Sequence, residues 1–267
     1  MDRIPYTTDL SDREWEILKK LMPPDKLSGR PRKYPWREIV NALFYITKTG
    51  CHWRLLPNDF PKWWTVYSYF RCWRIGGIWE AINDELRKAV RAVEGREEEP
   101  TAIIIDSQST KSTETSGDTG YDAGKKINGA KRHIAVDVGG LVIKAVVHSA
   151  DIQDRDGAVK LLRKAQKKCP TLTHGWADGG YAGRLVTWSQ KKLGINLKII
   201  KRSDDTKGFK ILPRRWVVER TFSWLGRNRR LSKNYERKSK SAESFIYMSM
   251  TRLMIRRLAA NPCARLF

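Results

Sequence analysis

The stretch that most constrains this sequence is a run of three isoleucines that leads to an aspartate. Residues 101–109 read TAIIIDSQS, and Ile103–Ile105 are too apolar and too β-branched for a strand at the surface. The run therefore predicts a strand buried on both faces that ends at Asp106. Because ligands of open sheets bind at the carboxyl ends of the strands, Asp106 is a candidate for a metal or acid–base site. The alternative is an aspartate that caps a helix or a turn.

Two further acidic residues are candidates for the same site. Residues 173–177 predict a short strand that ends at Asp178, within the sequence ADGGYAG, and the glycines would let another group approach the backbone closely. Glu219 lies on a helix predicted to begin at Pro213, beside its apolar stripe and among several arginines. The alternative for Glu219 is an ion pair with Arg215 at the helix surface, because the two are four residues apart.

The remaining pattern of the second half predicts a mixed sheet covered by helices. Residues 107–130, rich in Ser, Thr, Gly and Lys, predict a long mobile loop, and Gly139-Gly140 predicts a hairpin between two strands. The other predicted elements are strands over 132–138, 141–147 and 196–201, helices over 154–168 and 181–193, and a final amphipathic helix over 240–260. The competing acids are interpreted as hairpin and helix-cap residues: Asp137, Asp151, Asp154 and Asp156.

The first 95 residues predict an all-helical domain. Ser11 and Glu14 form a capping-box pattern at the start of the first helix. Three more helices are predicted over about 36–49, 63–73 and 79–93. A helix, a glycine turn and a helix with polar, aromatic and arginine residues are typical of a helix-turn-helix. The charged stretch 94–100, EGREEEP, separates the expected domains 1–95 and 96–267.

A net charge of +23 indicates a polyanionic partner, nucleic acid in the first place. Residues 201–267 carry 18 basic and 5 acidic side chains, a concentration that a merely basic, soluble surface does not explain. We expect the arginines of the third helix to contact phosphate rather than bases. The candidate DNA-binding residues are Arg30, Arg32, Lys33, Arg71, Arg74, Lys131, Arg132, Arg215, Arg220, Arg227, Arg229 and Arg230.

The sequence carries no signal for a membrane. It has no run of about 18 apolar residues, the pattern expected of a spanning helix, and its first residues lack the pattern of a signal peptide. The four cysteines are scattered without a CxxC pair, so reduced thiols in a cytoplasm are expected.

The three acids together indicate a metal-dependent site. Asp106, Asp178 and Glu219 offer hard oxygen ligands without His or Cys, which suits Mg²⁺ or Mn²⁺ rather than zinc. Two such ions can activate an attacking oxygen and stabilise the leaving oxygen of a phosphodiester. The residues therefore predict phosphoryl transfer on DNA, with a helical DNA-binding domain attached.

Several motifs, in this order, resemble bacterial insertion-sequence DDE transposases of the insertion sequence five family, within the four/five superfamily. The motifs cover nearly the full length: LSDREWEILKKLMPP, GRPRKYPWREIVNALFYITKTGCHWRLLPNDFP, WTVYSYFRCWR, IIIDSQSTK, KRHIAVDVGGL, ADGGYAG and RRWVVERTFSWLGRNRRL. The related Tyr-x2-Arg-x3-Glu-x6-Lys signature is matched at Arg215 and Glu219. Leu212 and Gly226 occupy the Tyr and Lys positions, and Arg227 or Arg229 could replace the lysine.

The resemblance implies an α/β fold with a ribonuclease-H-like mixed-sheet catalytic core, preceded by an all-α helix-turn-helix-like domain. It implies that Asp106, Asp178 and Glu219 are the catalytic and metal-binding triad for two Mg²⁺ ions, for which Mn²⁺ could substitute. The implied partners are double-stranded DNA, as terminal inverted repeats and target, and a second copy of the chain, at the nucleoid in a bacterial cytoplasm. The alternatives are a non-catalytic DNA-binding regulator and a ribonuclease-H-like nuclease that acts on RNA or hybrids.

Overall fold

The computed structural model describes residues 3–24, 31–200 and 214–261. Its backbone contacts divide the chain into two units. A helical unit comprises Met1–Arg96, Arg227–Ser232 and Ser244–Phe267, and a sheet unit comprises Glu97–Gly226 and Lys233–Glu243. The last helix begins in the sheet unit and continues into the helical unit.

The helical unit contains the four predicted N-terminal helices. These are α1 Asp12–Lys19, α2 Trp36–Thr49, α3 Trp63–Ile75 and α4 Ile78–Val93, with a 3-10 turn at Trp53–Leu55. The predicted capping box is confirmed, since Ser11 Oγ accepts from the Glu14 N–H at 3.3 Å and the Glu14 carboxylate accepts from the Ser11 N–H at 2.9 Å. Gly50, at φ 71°, ends α2.

The connection between α2 and α3 does not have the short turn of a typical helix-turn-helix. The connection between α2 and α3 covers residues 50–62, which is longer than the turn of three to four residues typical of the motif. The short glycine turn lies one helix later, at Gly76 and Gly77 between α3 and α4. Gly77 adopts φ 67°, a conformation that glycine reaches without a steric cost.

The sheet unit contains six strands and three helices in the described ranges. The strands are β1 Ala102–Lys111, β2 Gly120–Asp122, β3 Ile127–Val136, β4 Val142–Ser149, β5 His174–Ala177 and β6 Asn196–Ile199. The helices are α5 Asp154–Lys168, α6 Arg184–Leu193 and α7 Arg215–Gly226, with 3-10 turns at Gly179–Tyr181 and, in the helical unit, Arg229–Leu231. Strand order is β2-β3-β1-β5-β6, with β4 also paired to β3.

β3 runs antiparallel to every strand with which it pairs, whereas β1, β5 and β6 run parallel to one another. The predicted class, a ribonuclease-H-like mixed sheet after an all-α segment, is confirmed. Ile103, Ile104 and Ile105 are each at most 1% exposed, as the run of isoleucines predicts. Ile103 and Ile105 join the core beneath α5 and α6, and α7 packs on β1.

Two predictions about the first strand are wrong. β1 does not end at Asp106 but continues to Lys111, and residues 107–130 are not a long loop because they contain β2 and the start of β3. Small hydroxyl residues extend the strand because each buried hydroxyl finds a partner. Ser107 donates to Asp154, Ser109 to Asp122, and Thr110 to the carbonyl of Ala130.

The prediction that the final helix, α8 Ser239–Ala260, is amphipathic is wrong. Every residue over 241–251 is buried, including Ser241, Glu243 and Thr251. Its apolar residues are distributed around the helix rather than along one face, as expected of a core helix. No helix in the described ranges combines the length and apolarity that crossing a membrane requires.

Candidate active site

Strand register brings the first two candidate carboxylates to equivalent positions. β1 and β5 pair in parallel through Ile104 and Trp176, their last paired residues. Asp106, within β1, and Asp178, one residue beyond the end of β5 and still extended in its backbone, each lie two residues further along. Because side chains alternate along a strand, the two carboxylates leave the sheet on the same face.

α7 brings the third candidate to this face. Arg215 Nη2 lies 3.6 Å from Asp178 Oδ2 and 3.3 Å from Glu219 Oε1. The predicted surface pair between Arg215 and Glu219 is therefore present, but the same guanidinium also joins Glu219 to Asp178. Thr221 holds α7 against the β3–β4 hairpin, because its hydroxyl donates to the Gly140 carbonyl at 2.8 Å.

The electrostatics of Asp106 reflect burial close to a like charge. Burial, together with the neighbouring charge of Asp178, raises the pKa of Asp106 to about 6. The Ser107 N–H, which donates to Asp106 Oδ1 at 2.7 Å, acts in the opposite direction, as do Arg215 and Lys125. The nearby positive charges thus do not offset the free-energy cost of keeping the buried Asp106 carboxylate ionised.

The donor set at this site suits a hard divalent cation. Across residues 3–24, 31–200 and 214–261, no three His, Cys, Asp or Glu side chains form a group ready to hold a metal ion. Arg215 serves instead as the counter-ion of Asp178 and Glu219. The raised pKa of Asp106 beside Asp178 is the feature that a cation would relieve, and carboxylates are the ligands that Mg²⁺ prefers.

A buried polar network lies behind Asp106, on the other face of β1. Asp154 accepts from the Ser107 hydroxyl at 2.8 Å and pairs with Lys131 Nζ at 2.9 Å. Lys131 also lies 3.4 Å from Asp122 Oδ2. His133 Nε2 is 3.8 Å from Asp154, and burial lowers the pKa of this imidazole to about 3. The network fixes β1 where it passes the candidate site.

Two charged residues that contact Ser107, next to Asp106 in β1, were not candidates from sequence. Asp154 was interpreted as a helix cap, and Lys125 fell in the predicted loop. Lys125 Nζ lies 3.3 Å from both the carbonyl oxygen and the hydroxyl of Ser107. No local pattern points to either residue, because their partners belong to β1 and β3.

Several candidate DNA-binding residues are engaged within the protein. Lys131, Arg132 and Arg230 are 4%, 2% and 8% exposed, so their side chains do not face a ligand. Arg132 donates to the Lys233 carbonyl, and burial lowers its pKa to about 10. Arg230 donates to the Cys51 carbonyl. Arg220 donates to the Gly139 carbonyl, and its guanidinium lies over the rings of Trp216 and Trp224.

The other basic candidates fall into three groups. Exposed side chains are those of Lys33, Arg71, Arg227 and Arg229, while Arg32, Arg74 and Arg215 are half-buried. Arg32 lies over the ring of Trp36 at 3.9 Å. Arg30, like Leu212 and Pro213, lies outside the described residues. Arg227, Arg229 and Arg230 belong to the helical unit.

Comparison with known proteins gives two family matches. The model described as transposase DDE domain matches residues 97–255, and the model described as putative transposase of IS4/5 family matches residues 10–83. The first begins just before β1 and includes all three candidate acids. The second falls within the helical unit.

Relatives from Burkholderia cepacia are similar over parts of the chain. The putative transposase for insertion sequence element IS402 is 30% identical over 127 residues, or 44% of this chain and 59% of that protein. The insertion element IS402 uncharacterized 16.2 kDa protein is 26% identical over 91 residues, or 32% of this chain and 62% of that protein. The chain thus spans about three fifths of each relative.

Among solved structures, the Mos1 mariner paired end complex with Mn is similar at a TM-score of 0.31 and 11% identity, covering 92% of this chain and 84% of that one. A likeness of that size supports no conclusion on its own. The match to the transposase DDE domain, by contrast, extends over more than half of the chain. The chain therefore belongs to the DDE transposase family, in the IS4/5 group.

Proposed function

We propose that this chain is a DNA transposase that binds the ends of its insertion sequence, cleaves them in the presence of Mg²⁺ and joins the 3′-OH ends to target DNA. The observation that carries the proposal is that Asp106 and Asp178 each lie two residues beyond the last paired residues of the parallel strands β1 and β5, with Arg215 joining Asp178 to Glu219. Residues 72 and 41 positions apart in sequence thereby face one site, and the family of the chain supplies the reaction.

Asp106, Asp178 and Glu219 would hold two Mg²⁺ ions, or Mn²⁺ in their place. Bound ions of this kind activate an attacking oxygen and stabilise the leaving oxygen of a phosphodiester. The chain prepares the ligands. The Ser107 N–H fixes one oxygen of Asp106, and the Gly180 N–H, at 2.9 Å, fixes one oxygen of Asp178. The second oxygen of Asp178 faces Arg215 at 3.6 Å, so a cation that binds it would take the place of that guanidinium as its counter-charge.

Arg215 has a second role in the proposal. Its guanidinium neutralises Asp178 and Glu219 in the present structure. When cations take over that neutralisation, the same guanidinium can bind a DNA phosphate, for which its planar fork of donors is suited. Arg215 is 19% exposed at the side chain, so a phosphate at this face of the sheet can reach it.

The proposed partners are double-stranded DNA and a second copy of the chain. Exposed Lys33, Arg71, Arg227 and Arg229 would contact the backbone of the terminal inverted repeats or the target. Joining two ends in one event requires both in one complex, which favours a homodimer or a larger assembly. Acting on bacterial DNA, the chain would work at the nucleoid in the cytoplasm.

The test is cleavage of a labelled duplex that carries the end of the element, with the full chain. We expect nicks in Mg²⁺ and none in EDTA. Asp106→Asn and Asp178→Asn should bind the duplex as the unmodified protein does and cut it at least about 10³-fold more slowly, the scale expected for loss of a group that acts on the transition state. Asp156→Asn, an exposed acid on the first turn of α5, is the matched control and should cut normally.

Two outcomes separate the alternatives. A protein that binds the duplex but never cuts it, in Mg²⁺ or Mn²⁺, is a regulator rather than a transposase. A protein that hydrolyses the duplex but cannot insert a pre-cut end with a free 3′-OH into a plasmid is a nuclease. Equal cutting by the unmodified protein and Asp106→Asn would refute the assignment of the site.

A further inference from the structure

Lys125 reaches the edge of β1 at the point where its strand neighbour ends. β1 pairs with β5 only through Ile104, yet β1 itself continues to Lys111. On this edge the ammonium group of Lys125 lies 3.3 Å from the Ser107 carbonyl oxygen and 3.3 Å from its hydroxyl. Ser107 directly follows Asp106, and the charge of Lys125 is close enough to act on that carboxylate across the strand edge, where it lowers the pKa of Asp106.

The backbone of Lys125 is held in place by buried groups. Its N–H donates to Asp122 Oδ1 at 3.1 Å. The other oxygen of Asp122 accepts from the Ser109 hydroxyl and lies 3.4 Å from Lys131 Nζ. Asp122 is only 9% exposed, and these contacts lower its pKa in opposition to its burial. The turn that carries Lys125 is therefore preorganised on β1 and β3.

The charge of Lys125 remains accessible to a ligand. Its side chain is 40% exposed, and the nearest oxygen of Asp154 is 4.0 Å away. Lys131, by contrast, pairs with Asp154 at 2.9 Å and is 5% exposed at the side chain. Asp154 thus has its close ion pair with Lys131 and serves Lys125 as a more distant counter-charge. An ammonium group has three donors, and those not used on Ser107 can face solvent.

We infer that Lys125 binds a phosphate of the end DNA next to the bond that is cut, on the edge of the site formed by β1. This inference rests on the proposed function. Asp106, Asp178 and Glu219 repel an approaching DNA backbone, and the described residues that lower the pKa of Asp106 through their positive charge are Arg215 and Lys125. Lys125 supplies on the β1 edge what Arg215 supplies from α7, a positive charge that acts on Asp106 and to which a phosphate can bind.

The test measures DNA binding in EDTA, so it does not depend on cleavage. Lys125→Gln is compared with Lys126→Gln, which removes the neighbouring exposed lysine of the same turn. Loss of one phosphate contact should lower the slope of log affinity against log salt by about 0.9. This change in slope corresponds to a loss of affinity of about fivefold at 0.15 M salt, when the affinities are referred to 1 M salt. We expect this change for Lys125→Gln and not for Lys126→Gln, and we expect Lys125→Arg to keep the slope.

A second measurement identifies the phosphate. Single methylphosphonates, which remove one backbone charge, are placed in turn near the cleavage position of the duplex. For the unmodified protein one position should weaken binding about fivefold, and the same position should have no effect on Lys125→Gln. Equal slopes for Lys125→Gln and Lys126→Gln, or additive effects at every position, would overturn the inference.

These results are distinguishable from a failure of the proposed function. A chain that binds the end duplex through Lys125 but does not cut it in Mg²⁺ keeps this inference and loses the proposed reaction. If the unmodified chain cuts normally while Lys125→Gln binds DNA like Lys126→Gln, the proposed reaction stands and this inference fails. Lys125→Gln keeps the backbone N–H that donates to Asp122, so the turn should stay folded. Thermal unfolding of each variant checks this, since an intact turn leaves Tm unchanged.

Discussion

Replacing Asp106 by Asn should stabilise the metal-free protein at neutral pH. The pKa of Asp106 rises from an ordinary value of 3.8 to about 6 because the carboxyl is buried close to Asp178. Each pKa unit corresponds to about 1.4 kcal/mol, so the ionised group costs the fold about 3 kcal/mol above pH 6. Asn removes the charge and keeps an oxygen that can accept from the Ser107 N–H.

The pH dependence of this gain follows from proton linkage. Between pH 3.8 and 6 the folded protein binds more protons at Asp106 than the unfolded chain does, so the stability contributed by this group falls as pH rises through that window. Asp106→Asn should therefore match the unmodified protein below about pH 4 and exceed it by about 3 kcal/mol at pH 7.5. In a chain of this size that difference is about 6–12 °C in Tm.

The assay is thermal and denaturant unfolding in EDTA at pH 4, 5, 6 and 7.5, repeated with Mg²⁺. Asp156→Asn, at an exposed acid, controls for the general loss of a negative charge. Mg²⁺ should stabilise the unmodified protein and leave Asp106→Asn unchanged, because a ligand that binds only the folded state raises its stability. A gain that does not vary with pH, or a loss of stability at pH 7.5, would refute the reasoning.

Three further predictions concern the fold, two at the sheet that carries the site and one in the helical unit. Gly129→Ala places a Cβ against the Thr110 carbonyl oxygen and should cost about 3 kcal/mol, measured as a lower denaturant midpoint. An unchanged midpoint would mean that β1 and β3 do not pair as described. Thr221→Val removes the hydroxyl that donates to the Gly140 carbonyl and should cost about 1–2 kcal/mol with slower DNA cleavage, whereas a loss of stability without slower cleavage would separate α7 from the site. Ser11→Ala removes the capping acceptor of α1 and should lower stability by about 1 kcal/mol in thermal unfolding without altering cleavage by the folded protein.

Local sequence patterns were sufficient for most of the helices and for the hairpin. α2 spans Trp36–Thr49 as its apolar periodicity and Gly50 indicate, and Gly140, at φ 81°, makes the turn between β3 and β4. These features depend on residues close in sequence, such as a capping side chain, a glycine that adopts positive φ or a repeat of apolar residues. For the same reason the run of isoleucines identified a buried strand correctly.

The extent of β1 could not be predicted in the same way. Ser107, Ser109 and Thr110 resemble loop residues when they are considered alone. They continue the strand because Asp154, Asp122 and the Ala130 carbonyl accept from their hydroxyls, and these acceptors lie 13 to 47 positions away in the chain. Burial of a polar residue is favourable only when its partner is present, and local sequence does not show that partner.

The candidate acids were determined by the sequence, whereas their arrangement was decided by the tertiary structure. Residue type and spacing singled out Asp106, Asp178 and Glu219 and excluded a His or Cys site. Only the parallel register of β1 and β5 aligns the first two, and only the packing of α7 on β1 places Arg215 between Asp178 and Glu219. The position of Lys125 likewise depends on the tertiary structure, because its backbone N–H is held by Asp122. The physical reason is that composition fixes which charges a chain carries, while their mutual distances, and hence their electrostatic energies, depend on contacts between segments far apart in sequence.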